Sequence, residues 1–239
     1  MNQNVFKIFM DFDGTVTNQD VGEEIFRKFA DEEKVNKIID DLLNDRISSR
    51  ECWLNLCSAV SFINKNEFDD FIVSIPLEST FVKFKDYCAN ENIDLLVLSD
   101  GFDYYISKIF EKNEINDLKF YSNHLEIVDG RLIPGFPYYD EASFSSANCK
   151  RNHIINHSSE DDFTIFIGDG NSDKDSIEYC DFIFAKDDLL RFCEKERITF
   201  FPYNNFDDVI KKLDELKGRK RLKKRLRAQL KRQQAYTAE

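Results

Sequence analysis

The stretch at residues 5–17, VFKIFMDFDGTVT, is mostly apolar to Met10 and then turns polar, with Asp11 and Asp13 two residues apart and Gly14 directly after them. A short apolar run ended by Asp-Gly is the pattern of a buried strand stopped by a turn. Two carboxylates aimed the same way from one strand end repel unless a positive group lies beside them. Either they are turn residues that happen to be acidic, or they face a cation.

Working outward, residues 20–75 predict helices throughout. Asp20 and Glu23 have capping-box spacing ahead of EEIFRKFA, and SSRECWLNLCSAV opens on a second serine cap with Glu51 close behind. Pro76 marks a break. Helix and strand then alternate. FVKFKDYCANEN is amphipathic, IDLLVLS is a continuous apolar strand, and GFDYYISKIFEKN is helical. HLEIVDGRLIPG has a hairpin signature with its turn at Asp129-Gly130, and DFTIFIGDG is a strand entering a Gly-rich turn. This alternation predicts an α/β fold: a doubly wound, Rossmann-like parallel sheet with a helical cap inserted after the first strand. The expected division is 1–16 and 77–217 as core, 17–76 as cap, and 218–239 as a basic C-terminal tail.

Open α/β sheets bind ligands beyond the C-terminal ends of their strands. Three predicted strands end in polar, turn-prone clusters: DFDGT, SDG at Ser99–Gly101, and GDGNSD at Gly168–Asp173. Brought to one edge, Asp11, Asp13, Asp169 and Asp173 would lose much of their ionisation without a cation. An oxygen-only donor set with no Cys or His nearby suits Mg²⁺ better than zinc, and Mg²⁺ commonly bridges carboxylates to a phosphate. Ser99 and Lys150 would supply donors to that phosphate, Lys150 from the start of the helical KRNHIINH. These parts imply one carboxylate attacking phosphorus to form an aspartyl phosphate while a second moves the protons.

In this order the four elements resemble the signature motifs of the haloacid dehalogenase superfamily of phosphatases. They are DxDGT at Asp11–Thr15, the strand-ending Ser99, Lys150, and GDGxSD closing at Asp173. The resemblance implies Asp11 as nucleophile and Asp13 as general acid/base. It also implies Mg²⁺ held by the Asp11 carboxylate, the Asp13 carbonyl and Asp169. Ser99 and Lys150 would bind the phosphoryl group, with Asp100, Gly101 and Asp20 as neighbouring substrate-binding positions. Asp173 would orient Lys150 or a metal-bound water.

The insert looks like the C1-type cap of the phosphoserine phosphatase branch. The segment YCDFIFAKDDLLRFCEKERITFFPYNNFDDV, residues 179–209, looks most like the methionine-salvage group that acts on 2-hydroxy-3-keto-5-methylthiopentenyl-1-phosphate. The implied function is a Mg²⁺-dependent phosphatase for a small phosphorylated metabolite, of methionine-salvage or amino-alcohol phosphate type. Three alternatives stand beside it: a phosphoserine phosphatase, a phosphotransferase or mutase on the same scaffold, and a regulatory binding protein acting through the tail.

Departures from the phosphoserine pattern favour the first reading. Leu56 stands where that branch has a carboxylate-gripping Arg, with Arg50 a nearby substitute. Asp100 would add negative charge beside the substrate, which suits a cationic or neutral leaving group, and Ser172 replaces an Asn.

Composition narrows the partners. The net charge of −12 divides into 24 basic against 44 acidic residues over 1–217, and nine basic against one acidic residue in the tail. An acidic body repels nucleic acid, while the tail is a candidate for a weak anionic partner. No apolar run approaches the ~20 residues of a membrane span. Six cysteines without a CxxC pair fit reduced thiols, and a cytoplasmic location is expected. His153 and His157, spaced i, i+4, read as a solvated helix face for want of a third metal ligand. The tail reads as a helix with Leu222, Leu226 and Leu230 in one stripe.

Overall fold

The computed structural model describes residues 5–144 and 146–237. The chain forms two compact units. One holds 5–11, Glu78–Leu98 and 150–237, and the other Phe12–Leu77 and Ser99–Cys149. Among the described residues, β1 (Phe6–Met10), β2 (Asp94–Phe102), β3 (Lys119–Val128), β4 (Arg131–Gly135), β5 (Phe163–Gly168), β6 (Phe182–Ala185) and β7 (Phe201–Pro202) are ordered β4-β3-β2-β1-β5-β6-β7. The expected α/β class holds.

In the first unit, β1 (Phe6–Met10) lies between β2 (Asp94–Phe102) and β5 (Phe163–Gly168), parallel to both. Beyond β5 follow β6 (Phe182–Ala185) and β7 (Phe201–Pro202), also parallel. Ile8, Phe9, Met10, Val97, Ile165, Phe166 and Ile167 are fully buried. That explains why these strands read as continuous apolar runs rather than alternating ones. Helices α5 (Phe81–Asn90) and α9 (Phe206–Lys217) pack on each other, with the Phe84 and Phe206 rings stacked at 4.8 Å.

The second unit contains the helical segment: α1 (Val21–Phe29), α2 (Glu32–Leu43), α3 (Ser49–Ala59) and α4 (Lys65–Ser74). Side-chain caps start each one. Asp20 accepts from the Glu23 amide, and Ser48 with Glu51 forms a complete capping box. A bridge between Thr17 and Leu77 closes the segment at its base. Helix α6 (Asp103–Lys112) packs against α4, with the Tyr104 hydroxyl donating to Asp69 at 2.6 Å. The predicted hairpin is β3 (Lys119–Val128) paired antiparallel with β4 (Arg131–Gly135). Its two-residue turn has Asp129 at φ 49° and Gly130 at φ 75°, the left-handed pair that a tight hairpin requires.

Two sequence expectations fail in the C-terminal region of the first unit. Helix α7 (Lys150–Asn156) buries His153 rather than presenting it to solvent. Burial and the neighbouring His157 push its pKa down to about 4, so it is neutral at physiological pH. The tail is not organised by its leucines either. Helix α8 (Asp187–Lys195) precedes α9 in the chain, and α10 (Leu226–Thr237) ends it. Leu222 lies before α10, and Leu226 and Leu230 are 69% and 49% exposed.

What docks α10 is a buried cation. Arg232 is 1% exposed and donates to Thr164 Oγ1 at 2.6 Å, to the Tyr179 carbonyl, and to Asp181 Oδ2 at 2.9 Å. Asp181 is itself buried and accepts the Thr164 amide and the Arg225 amide. Removing one partner of a buried pair strands the other charge, at a cost of about 3–5 kcal/mol. Arg232→Ala is therefore expected to lower unfolding stability by about that amount in urea melts. Leu226→Ala and Leu230→Ala, on exposed positions, should stay within ~0.5 kcal/mol.

Candidate active site

Each unit carries a cluster of the motif residues. In the first, the Asp11 amide donates to the Ile167 carbonyl at 2.9 Å and so extends the β1–β5 ladder one residue past Met10. This fixes the Asp11 backbone at the strand end. Opposite it, the GDGNSD loop folds onto its own last residue. Asp173 Oδ2 accepts the amides of Asp169 and Gly170, each at 3.2 Å. A Cβ at position 168 would overlap Asp173 Oδ2, so the Gly168 of the motif is a demand of this close approach.

Lys150, at the first position of α7, sits between the two acids. Its Nζ is 2.7 Å from Asp11 Oδ1, 2.7 Å from Asp173 Oδ1 and 3.1 Å from Ser172 Oγ, with no exposure of its side chain. Burial alone would discharge this lysine. The charges of Asp11 and Asp173 outweigh burial and hold its pKa above the ordinary value, so it remains an ammonium. Asp11, Asp169 and Asp173 each place a carboxylate oxygen within 4.8 Å of the others. Three carboxylates are thus gathered in a largely buried place beside one another. Clustered carboxylates and all-oxygen donors fit a hard divalent cation.

In the second unit, the Phe12 carbonyl accepts the amides of Thr15, Val16 and Thr17, and Gly14 takes φ 73°. This tight turn presents Asp13 to the N-terminus of α1. Asp13 Oδ1 accepts the Val21 amide at 3.0 Å, and Oδ2 accepts Ser99 Oγ at 3.1 Å and the Tyr105 hydroxyl at 2.9 Å. Ser99 Oγ also accepts the Gly101 amide at 2.9 Å. The same helix end is capped by Asp20, so two carboxylates share one positive helix terminus. Crowding by protein and the charge of Asp13 raise the Asp20 pKa from 3.8 to about 7. Asp20 is an exposed residue, where solvent screens these charges.

Tyr105 is the residue that the sequence reading missed. It is buried, and burial and the charges of Asp13 and Asp20 hold its pKa well above 10, so it stays a hydrogen-bond donor. It also explains Gly101. A Cβ there would overlap the Tyr105 hydroxyl and lie 2.9 Å from Asp13 Oδ2. The signal in the sequence was one tyrosine four residues after a glycine, which ordinary helix packing accounts for equally well.

Asp100 is engaged within its own unit. Its Oδ1 accepts Ser146 Oγ and the amides of Ala147 and Asn148, and its Oδ2 accepts Ser49 Oγ and, at 3.4 Å, Trp53 Nε1. Arg50 lies over the Tyr139 ring at 4.8 Å and the Phe136 ring at 5.5 Å, while Leu56 is buried in α3.

The chain matches the model of the haloacid dehalogenase-like hydrolases over residues 8–178. It belongs to that family. As a haloacid dehalogenase-like hydrolase it is 30% identical over 216 residues to the 2-hydroxy-3-keto-5-methylthiopentenyl-1-phosphate phosphatase of Bacillus mycoides, across 88% of this chain and 96% of that protein. It is 26% identical to Pdp3-interacting factor 1 of Schizosaccharomyces pombe, across 87% and 95% of the two chains. Its fold is like that of a solved phosphoserine phosphatase carrying a phospho-aspartyl intermediate analogue. That likeness has a TM-score of 0.69 at 21% identity, over 87% of this chain and 99% of the other. Among the described residues, no helix of this hydrolase is long and apolar enough to cross a membrane.

Proposed function

We propose that this hydrolase removes phosphate from a small phosphorylated metabolite through an aspartyl phosphate on Asp11, with Mg²⁺ as cofactor. The observation that carries the reading is the buried Lys150 ammonium held 2.7 Å from both Asp11 and Asp173, with Asp169 completing an acidic cluster. An ammonium on the nucleophile keeps it ionised and offers donors to the anion it attacks.

Asp11 attacks phosphorus as the carboxylate, forming an O–P bond while the bond to the substrate oxygen breaks. Asp13 gives its proton to that leaving oxygen. Water then adds to phosphorus, its proton returns to Asp13, the bond to Asp11 breaks, and inorganic phosphate leaves. Lys150 and Ser99 donate to the phosphoryl oxygens. Tyr105 and the Val21 amide orient Asp13, and Asp173 orients Lys150. Mg²⁺ would be held by Asp11 and Asp169 with the Asp13 carbonyl, and it supplies charge neutralisation on the phosphoryl group.

The substrate class of best support is the methionine-salvage type, from the name of the relative matched over nearly its whole length. Buried Leu56 and stacked Arg50 both weigh against a phosphoserine carboxylate clamp. Phosphate release should be compared across 2-hydroxy-3-keto-5-methylthiopentenyl-1-phosphate, phosphoserine, phosphoethanolamine and phosphocholine. The first is expected to give the highest kcat/KM, and a wide margin for phosphoserine would overturn the assignment. Labelled water should enter the phosphate released, which a mutase would not allow.

A further inference from the structure

Asp100 follows Ser99 directly, and on position alone it would be a bare negative charge beside the substrate. Its hydrogen bonds describe another job. Oδ1 accepts three donors from one irregular loop: Ser146 Oγ at 2.8 Å, the Ala147 amide at 2.6 Å and the Asn148 amide at 2.8 Å. Oδ2 accepts Ser49 Oγ, from the first turn of α3, and Trp53 Nε1 one turn further along the same helix. The Asp100 carbonyl accepts Asn123 Nδ2 at 2.5 Å.

Ser146 has one hydroxyl proton and its Oγ also lies on the Asn148 carbonyl, yet the other four donors by themselves match the roughly four lone-pair sites of a carboxylate. An ammonium on a substrate would have to displace some of them to gain anything.

The loop held this way is the one that leads into α7. Asn148, two residues before Lys150, is fastened again through its own side chain to the Ser99 carbonyl at 2.7 Å and the Tyr121 carbonyl at 2.9 Å. Residues 146–149 belong to no helix or strand, so side-chain bonds of this kind determine their course. A second tie repeats the link to the helix: the Ser49 amide donates to the Phe144 carbonyl at 3.2 Å.

We propose that Asp100 is a positioning residue rather than a substrate contact: one carboxylate pins the start of α3 to the loop that delivers Lys150. Two properties follow. Selection against or for cationic leaving groups does not pass through Asp100. A shift of α3 is transmitted to the loop entering Lys150, because the helix hangs on one oxygen of the Asp100 carboxylate and the loop on the other.

The proposal rests on the phosphatase reading, and the test separates the two. Wild type, Asp100→Asn, Ser49→Ala and the double variant are assayed with Mg²⁺ on p-nitrophenyl phosphate, phosphoethanolamine and phosphoserine, with inorganic phosphate as inhibitor. Amide hydrogen exchange is followed at residues 146–149. Asp100→Asn is expected to lower kcat/KM roughly 10-fold, less than the ~100-fold that a 1 Å misplacement can cost. The loss should be similar for all three substrates and accompanied by weaker phosphate inhibition, because Lys150 meets the phosphate and not the leaving group.

Ser49→Ala should lose activity in the same direction, the double variant should be no worse than Asp100→Asn, and exchange at Ala147 and Asn148 should accelerate in both single variants. Ser49→Ala is the mild change that keeps the test decisive should Asp100→Asn fold poorly. A loss confined to phosphoethanolamine, additive effects of the two variants, or unchanged exchange at Ala147 and Asn148 would overturn the proposal. If Asp11→Asn retained full turnover, the phosphatase reading would fall, while the exchange result would still decide the role of Asp100.

Discussion

Asp11→Asn is expected to stop phosphate release from p-nitrophenyl phosphate while leaving the fold intact. An amide oxygen is a poor nucleophile and cannot form the aspartyl phosphate. Loss of a sole covalent nucleophile costs on the order of 10⁴- to 10⁶-fold in kcat. The change is nearly isosteric at a buried site, so no cavity forms. It also removes one of three mutually repelling carboxylates, while Lys150 keeps its bond to Asp173 at 2.7 Å. Thermal melts should therefore stay close to wild type, and trapping with beryllofluoride should fail in the variant. Residual turnover within tenfold of wild type would contradict Asp11 as the attacking group.

Lys150→Ala is expected to strike both activity and stability. The side chain is completely buried between Asp11 and Asp173, and truncation leaves both carboxylates facing each other without their counter-ion. Breaking a buried pair in this way costs about 3–5 kcal/mol, a large part of the stability of an ordinary domain. Urea midpoints would report it. Activity should fall at least ~100-fold, as for removal of a principal donor to developing negative charge.

The pH dependence has a definite sign. The pKa of Lys150 is raised in the folded chain, so its stabilisation is fully present below the ordinary lysine pKa of about 10.4 and is lost only as pH climbs past the raised value. Between pH 6 and 9 the gap between wild type and Lys150→Ala should be flat with respect to this group. A gap that closes over that range would mean that the ammonium is not held as described.

The turn and strand chemistry around these residues was legible in the sequence because it is local. The apolar run before Asp11, the Asp129-Gly130 hairpin and the Ser48–Glu51 capping box each depend on residues within a few positions of one another. The four motifs were legible as a family resemblance, since their order in the chain is a sequence property. The partners of those motifs were not. Ser99 and Tyr105 reach Asp13 across 86 and 92 residues, and Ser49 reaches Asp100 across 51. Nothing in local pattern distinguishes a tyrosine that grips a carboxylate from one that fills a core.

The tail shows the same limit from the other side. Its leucine spacing predicted the helix correctly as a type of element, yet the buried residues are Ala228 and Arg232. Hydrophobic periodicity identifies a buried face only when apolar burial does the docking, and here a guanidinium paired with Asp181 does it.

The amino-acid order of this protein thus determined by itself its alternation of strands and helices, its turns and caps, and the chemical types available at its strand ends. Those features arise from interactions among near neighbours, whose geometry the backbone supplies. Tertiary structure alone decided which donors hold Asp13, what saturates Asp100, and which charge anchors the last helix. Each of these is a contact between segments far apart in the chain, and it exists only once the burial of the whole has brought them together.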